Sequence, residues 1–176
     1  MDHEQTVRER EHPMLATMTE IVSETSREQR DRGAADSPPT AVVEQFLDRL
    51  RAIDSDGAAN LLAVDVHYEN KGLPTIHGRE RVRRLFEAMS RVGTGFEVYV
   101  HLISADGSSV LTERTDVLKW GRLRIQFWVC GRFDVRDGEI VVWRDYFDHL
   151  TILAATMRGL LAIVVPAARA KPPSTA

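Results

Sequence analysis

The stretch "SSVLTERTDVLKWG", residues 108–121, has the two-residue alternation of a β-strand and ends at a glycine, where a turn is expected. Side chains of an extended chain alternate between two faces, so Thr112, Arg114 and Asp116 share one side. If that side faces inward, a guanidinium and a carboxylate are buried together, which is unfavourable unless both are well hydrogen-bonded. The pair is therefore expected either on an exposed sheet face, as a surface ion pair, or in a pocket that uses it.

Three neighbouring segments show the same period. They are "FEVYVHLISADG" (96–107), "RLRIQFWVCGRFDVRDG" (122–138) and "EIVVWRDYFD" (139–148). An Asp-Gly pair ends each of the first two, and this dipeptide is typical of tight β-hairpin turns. The C-terminal half of the chain therefore predicts four long strands joined in hairpin succession.

Before residue 95 the apolar residues recur at helical spacing instead. The predicted elements are a helix after Pro39, a short helix in "SDGAANLLA" (55–63), a short strand in "VHYEN" (66–70), a loop at 70–78 and a helix in "RERVRRLFEAMSRV" (79–92). The apolar stripes of the two longer helices are Val42, Phe46, Leu50 and Ile53, and Val82, Leu85, Phe86 and Met89. Helices kept apart from an antiparallel sheet define an α+β fold. We expect a curved mixed, mainly antiparallel sheet that forms an open cone, with about three N-terminal helices packed against it and a C-terminal helix.

The chain has 176 residues, the length of one ordinary domain. Residues 1–38 are polar and mix both charges, which predicts a disordered or loosely ordered leader. Residues 39–166 are expected to form a single domain. Residues 167–176 contain two prolines and are predicted to be a flexible tail.

Composition indicates a soluble protein of the cytoplasm. The net charge of −3 gives no reason to expect nucleic acid as a partner. Cys130 is the single cysteine, which excludes an internal disulfide framework and is typical of a reducing compartment. The first twenty residues contain no apolar run of the secretory type. The apolar stretch 150–165 contains Arg158 and is shorter than the roughly 20 residues of a membrane span, so a buried or interface helix is favoured.

Polar side chains of three predicted strands would converge if their faces line the inside of the cone. The segments are "HYEN" (67–70), "TERTD" (112–116) and "WRDYFD" (143–148). Together they contribute a phenol, a carboxamide, a guanidinium and two carboxylates: Tyr68, Asn70, Arg114, Asp116 and Asp145. In the last segment, alternation puts Asp145 on the side of Trp143 and Phe147, and Arg144 on the other. This set predicts a pocket with polar chemistry, in which the sequence leaves open which of the aromatic rings form the wall.

The segments "YEN" (68–70), "LTERTDVL" (111–118) and "WRDYFD" (143–148) together resemble the signature segments of the limonene-1,2-epoxide hydrolase family, including members that act on sterol or lipid epoxides. The resemblance covers roughly residues 40–160 and keeps the family's order and approximate spacing. It implies the nuclear transport factor two-like, ketosteroid isomerase-like cone fold. It also implies an enzyme that adds water to a hydrophobic epoxide of a terpene, sterol or lipid and gives a vicinal diol. A homodimer is implied too, and the apolar C-terminal helix is one candidate for its interface.

By matching position, the resemblance implies a role for each of five residues. Asp145 resembles the general base that takes a proton from water, and Asp116 resembles the general acid that protonates the epoxide oxygen. Arg114 resembles the cation between the two carboxylates, while Tyr68 and Asn70 resemble the groups that hold the water. Physical chemistry agrees with this division, because two carboxyls close together in an apolar pocket titrate apart and one stays protonated.

Two other functions fit the same predicted fold. A ketosteroid isomerase-like isomerase or lyase also uses an aspartate base with a tyrosine and a protonated acid, but it has no need of an acid–cation–base triad. A small-molecule-binding module without activity is the other, and the presence of all five polar residues tells against it. No metal or cofactor is expected, because the sequence has no HExxH, P-loop or GxSxG motif and its histidines lack metal-ligand spacing.

Overall fold

The computed structural model of the protein describes residues 37–91, 93–171 and 173. Its helices are α1 Pro39–Arg51, α2 Ser55–Ala59, α3 Arg79–Arg91 and α4 His149–Val164, and the 3₁₀ turn Pro166–Ala168 follows α4. Its strands are β1 Leu62–Asn70, β2 Ile76–His77, β3 Thr94–Asp106, β4 Ser109–Trp120, β5 Leu123–Arg136 and β6 Glu139–Tyr146. Nearly all of the predicted leader and part of the predicted tail lie outside the described residues, so the predicted domain limits stay predictions.

The six strands form one sheet in the order β2-β1-β6-β5-β4-β3. Strands β3 to β6 pair antiparallel in succession, and β1 joins β6 in parallel. At the turn between β5 and β6, Asp137 and Gly138 have φ of 52° and 77°, the positive values that a tight hairpin turn requires. The prediction of an α+β fold with a mixed, mainly antiparallel sheet and four strands in hairpin succession is confirmed.

Helix α1 packs its apolar stripe on the inner side of the sheet, chiefly along β3, and its Phe46 reaches across to β6. A proline at its first position has the φ that a helix start needs and lacks an N–H that would go unbonded. Phe46 is fully buried, and its ring centroid lies 5.0 Å from that of Trp143 in β6. The Trp143 ring also stacks on Phe133 of β5, with centroids 6.1 Å apart. This aromatic cluster holds the helix layer at a fixed place over the centre of the sheet.

Some predicted boundaries were wrong. Helix α1 ends at Arg51, so Ile53 does not belong to its stripe; Ile53 is 48% exposed and has φ 58°, a conformation that stops the helix. Helix α2 ends at Ala59, because the next residues pair with β6 and extend β1 back to Leu62. The loop predicted at 70–78 contains the two-residue strand β2, which pairs with β1.

Helix α4 is not the buried helix that its composition favoured. Only Ala155 and Gly159 are buried among its residues, and a Cβ at Gly159 would lie 2.6 Å from the carbonyl oxygen of Arg124. Most of its large apolar side chains are exposed: Leu150, Leu153, Met157, Leu160, Leu161 and Val164. The alternative, an interface helix, stays a prediction. Within the described ranges, every helix is too short or too polar to cross a membrane.

Candidate active site

Strand β4 turns the Arg114–Asp116 pair towards the inside of the sheet. Thr112, Arg114 and Asp116 are 1%, 1% and 4% exposed, whereas Leu111 is 53% exposed. The side chains of Arg114 and Asp116 are therefore not a surface ion pair. Since Arg114 is the largest of the fully buried side chains, its charge must be compensated by neighbouring groups.

The guanidinium of Arg114 is compensated on three sides. Its Nε donates to Asp116 Oδ1 at 3.0 Å, and its Nη2 donates to Asp145 Oδ2 at 2.7 Å. Its Nη1 donates to Thr112 Oγ1 at 3.1 Å. Asp145 lies in β6 and is itself only 4% exposed. The two carboxylates that the sequence predicted to converge therefore meet at one buried arginine.

Strand β1 brings Tyr68 and Asn70 beside this pair. The parallel pairing of β1 with β6 places Tyr68 opposite Trp143 and Asn70 opposite Asp145. The Asn70 Nδ2 group donates to the Tyr68 hydroxyl oxygen at 2.7 Å. The Tyr68 ring stacks on Trp143 with centroids 3.9 Å apart, which holds the phenol in place. All five residues singled out in the sequence are therefore brought together.

Four of these five residues, all except Arg114, line a pocket of about 310 Å³. Tyr68, Asn70, Asp116 and Asp145 supply polar groups to its wall. Most of the remaining wall is apolar, and it includes Leu50, Leu85, Met89, Phe96, Leu118, Ile125, Phe127, Val129, Phe147 and Ile152. A largely apolar cavity with a few convergent polar groups is the usual form of a small-molecule site.

Burial and charge shift the titrations inside this pocket. Burial, together with the neighbouring Asp145, raises the pKa of Asp116 to about 6 against the opposing effect of Arg114. The pKa of Tyr68 is also raised by burial and by Asp145, so the phenol keeps its proton. Burial alone would lower the pKa of Arg114, but the two carboxylates raise it above its ordinary value. A carboxyl that holds a proton near neutral pH can serve as an acid.

One oxygen of Asp145 stays available. In the described part of the chain, Asp145 Oδ1 is buried and has no hydrogen-bond partner, while Oδ2 is held by Arg114. Buried polar atoms are nearly always hydrogen-bonded, so one without a partner needs a reason. A role in an active site is such a reason. The arrangement can accept a proton from a small molecule at Asp145 Oδ1.

Sequence reasoning did not assign a function to two residues of this site. Thr112 was placed on the correct face by alternation, but its contact with Arg114 was not foreseen. Gly131 of β5 lies directly opposite Thr112, and a Cβ there would lie 2.7 Å from Thr112 Oγ1 and would collide with the Arg114 guanidinium. The hairpin register of β4 and β5 is the signal that could have identified this glycine.

We expect Gly131→Ala to lower the free energy of unfolding by about 1–3 kcal/mol, the usual effect of overpacking. The new methyl group has no room, because the two ion pairs prevent Arg114 from moving away. Gly95→Ala is the matched control, since its Cβ would meet chiefly the mobile end of Lys119. Urea denaturation of both variants measures the effect, and equal midpoints would refute the proposed close packing.

Comparisons with known proteins agree with this geometry. Residues 37–158 match the family model described as the limonene-1,2-epoxide hydrolase catalytic domain. Epoxide hydrolase EphG of Mycobacterium tuberculosis is 50% identical over 129 residues, which are 73% of this chain and 85% of that protein. A solved structure of a limonene epoxide hydrolase-like epoxide hydrolase from M. tuberculosis is 47% identical, with a TM-score of 0.73 over 76% of this chain and 95% of that one.

More distant structures share the fold alone. A putative polyketide cyclase from Xanthomonas campestris is 19% identical, with a TM-score of 0.61 over 72% of this chain and 98% of the other. A protein with a ketosteroid isomerase-like fold from Catenulispora acidiphila is 17% identical, with a TM-score of 0.60 over 66% of this chain and 92% of the other. The predicted cone fold is confirmed, and so is epoxide hydrolysis, ahead of the isomerase and binding-module alternatives. The chain belongs to the limonene-1,2-epoxide hydrolase family and is an epoxide hydrolase on the nuclear transport factor two-like cone fold.

Proposed function

We propose that this enzyme adds water to a hydrophobic epoxide by one-step general acid/base catalysis and releases a vicinal diol, without a cofactor. The observation that carries the proposal is the buried chain Asp116–Arg114–Asp145 at the wall of an apolar pocket. A carboxylate that accepts a proton and a carboxyl that donates one are the two groups this reaction requires. Each is expected to contribute on the order of 10²–10⁴-fold to the rate.

Asp145 acts as the general base. Its Oδ2 accepts from Arg114 Nη2 at 2.7 Å, within the range of charge-assisted hydrogen bonds, and this leaves Oδ1 for the proton of water. The free oxygen Oδ1 takes a proton from water. Tyr68 and Asn70 hold that water by hydrogen bonds from the adjacent strand, which aims an oxygen lone pair at the epoxide carbon.

Asp116 acts as the general acid. The single positive charge of Arg114 balances one carboxylate, so the site is neutral when Asp145 is ionised and Asp116 is protonated. As the bond from water to carbon forms, the bond from carbon to the epoxide oxygen breaks, and that oxygen takes the proton of Asp116. The proton gained by Asp145 then returns to Asp116 and resets the site.

The pocket wall supports a hydrophobic substrate, of the terpene, sterol or lipid epoxide class. Its apolar residues give up contact with water when such a molecule binds, which favours binding. We also propose a homodimer located in the cytoplasm. The exposed apolar side chains of α4 support an interface on that helix, because a monomer rarely leaves so many on one helix.

The ratio kcat/KM is expected to fall about tenfold per pH unit above pH 6, because the acid must carry its proton and burial raises the pKa of Asp116 to about 6. Initial rates from pH 5 to 8 at low substrate concentration measure this fall of kcat/KM with pH. The Asp134→Asn variant should show the same fall, since Asp134 pairs with Arg132 outside the pocket. A rate that does not change over this range would exclude Asp116 as the acid.

Diol production from limonene oxide, a fatty-acid epoxide and a sterol 5,6-epoxide tests the proposed function. Wild type, Asp116→Asn and the control Asp134→Asn are compared. Turnover by wild type and the control, but not by Asp116→Asn, is the expected result, and the preferred epoxide identifies the substrate class. A folded wild-type protein that hydrolyses none of the three would rule out this range of substrates.

A further inference from the structure

The guanidinium of Arg114 has a third hydrogen bond in addition to its two ion pairs. The bonds from Nε and Nη2 attach it to Asp116 and Asp145, and the bond from Nη1 attaches it to Thr112. A guanidinium is a rigid planar fork. Two contacts leave such a plane free to tilt about the line that joins them, whereas a third contact fixes it. Thr112 therefore determines how Arg114 is shared between the acid and the base.

The hydroxyl of Thr112 is itself oriented. Its Oγ1 accepts from Arg114 Nη1 at 3.1 Å, and the carbonyl oxygen of Gly131 lies 3.5 Å away on the next strand, a long contact towards which the hydroxyl proton can point. Thr112 is 1% exposed and β-branched, which restricts its side-chain rotation on a strand. The absence of a side chain at Gly131 gives the guanidinium the room to reach this hydroxyl.

We propose that Thr112 is a positioning residue of the reaction, which fixes the orientation of Arg114 between Asp116 and Asp145 and so holds both carboxyls where they act. The inference rests on the proposed acid and base roles. When the hydroxyl is missing, Nη1 loses its acceptor and turns towards Asp145, the partner with the shorter bond. The contact with Asp116 then weakens. Since Arg114 lowers the pKa of Asp116, this carboxyl holds its proton to higher pH.

Thr112→Val tests the role of the hydroxyl, because valine keeps the overall shape of threonine and replaces the hydroxyl with a methyl group. We expect kcat to fall about 10- to 100-fold, the range for a hydrogen bond to a charged group, with KM nearly unchanged because Thr112 does not line the pocket. The fall of kcat/KM with pH should begin at higher pH than in wild type. Thr112→Ser, which keeps the hydroxyl, should restore most of kcat and the wild-type pH profile.

Thr115→Val is the matched control. Thr115 is also buried in β4, but it lies on the opposite face, where its hydroxyl bonds His101 Nε2 at 2.9 Å. This variant should keep the wild-type kcat and pH profile. If Thr112→Val kept the wild-type kcat and pH profile, the inference would be overturned. It would also be overturned if Thr112→Ser were as slow as Thr112→Val, because the loss would then come from packing and not from the hydroxyl.

A second comparison covers the case that Thr112→Val does not fold. Thr112→Ala lacks the methyl and the hydroxyl, whereas Thr112→Ser lacks the methyl alone, so the ratio of their kcat values reports the hydroxyl. We expect at least about a tenfold ratio, and equal values would overturn the inference. Wild type and Thr115→Val are assayed in parallel. If these two also fail to form diol, the proposed function fails; if only the Thr112 effects are missing, the further inference alone fails.

Discussion

Asp145→Asn should reduce kcat for diol formation by more than the usual 10²–10⁴-fold contribution of a general base. An amide cannot take a proton from water, so the nucleophile is lost. Among the described residues, it also leaves Arg114 with Asp116 as its one carboxylate partner. Asp116 must then ionise to balance the buried guanidinium, which removes the acid as well. Single-turnover diol formation, with enzyme in excess, measures the loss.

The control for Asp145→Asn is Asp134→Asn, which removes a carboxylate from another Arg–Asp pair of the same sheet. It should retain wild-type activity, because Asp134 does not line the pocket. Circular dichroism and the unfolding midpoint show that each variant is folded. Residual activity above about one hundredth of wild type in folded Asp145→Asn would contradict its role as base.

Asp116→Asn should lower kcat by about 10²–10⁴-fold, because the amide is too weak an acid to protonate the departing oxygen. The base and its water remain in place, so the binding of substrate should change little. The double variant with Asp145→Asn is expected to be no slower than Asp145→Asn alone, since the acid already fails there. Additive losses would show that the two carboxylates work independently rather than through Arg114.

Stability provides a separate check on Asp116. Its pKa is raised from an ordinary value of 3.8 to about 6, so its favourable contribution to folding is fully present below pH 3.8 and is lost as pH rises through 6. Asparagine does not titrate. The unfolding midpoint of Asp116→Asn should therefore rise relative to wild type between pH 4 and pH 7. If the difference between the two unfolding midpoints did not change with pH, the pKa of Asp116 would not be shifted by folding.

The strands of the sheet and the polar set of the site were predictable from sequence because both follow local rules. Alternation assigned Arg114 and Asp116 to one face, and it separated Asp145 from Arg144. Two Asp-Gly turns then specified which strands are neighbours. The five polar side chains converge because these strand faces all point to the inside of the sheet, where Arg114 joins the two carboxylates and Tyr68 and Asn70 lie beside them.

Other features depend on tertiary contacts that no local period encodes. Ile53 continues the helical spacing of α1, yet it lies past the end of the helix with a positive φ. The Thr112–Arg114 hydrogen bond depends on the bare backbone of Gly131 on the next strand. The exposed side of α4 is as apolar as a buried helix, so composition could not tell which of its faces touches the sheet.

The most direct test of the one-step mechanism is a single turnover in ¹⁸O-labelled water with enzyme in excess over epoxide. If Asp145 only removes a proton, one labelled oxygen enters the diol in that first turnover and none enters the protein. If a carboxylate attacked carbon instead, the diol would receive an unlabelled protein oxygen, and the label would enter the aspartate when the ester is hydrolysed. Mass spectrometry of the diol and of the peptides that contain Asp116 and Asp145 separates the two results: label in the diol alone is the predicted outcome, and label in either aspartate would contradict general base catalysis.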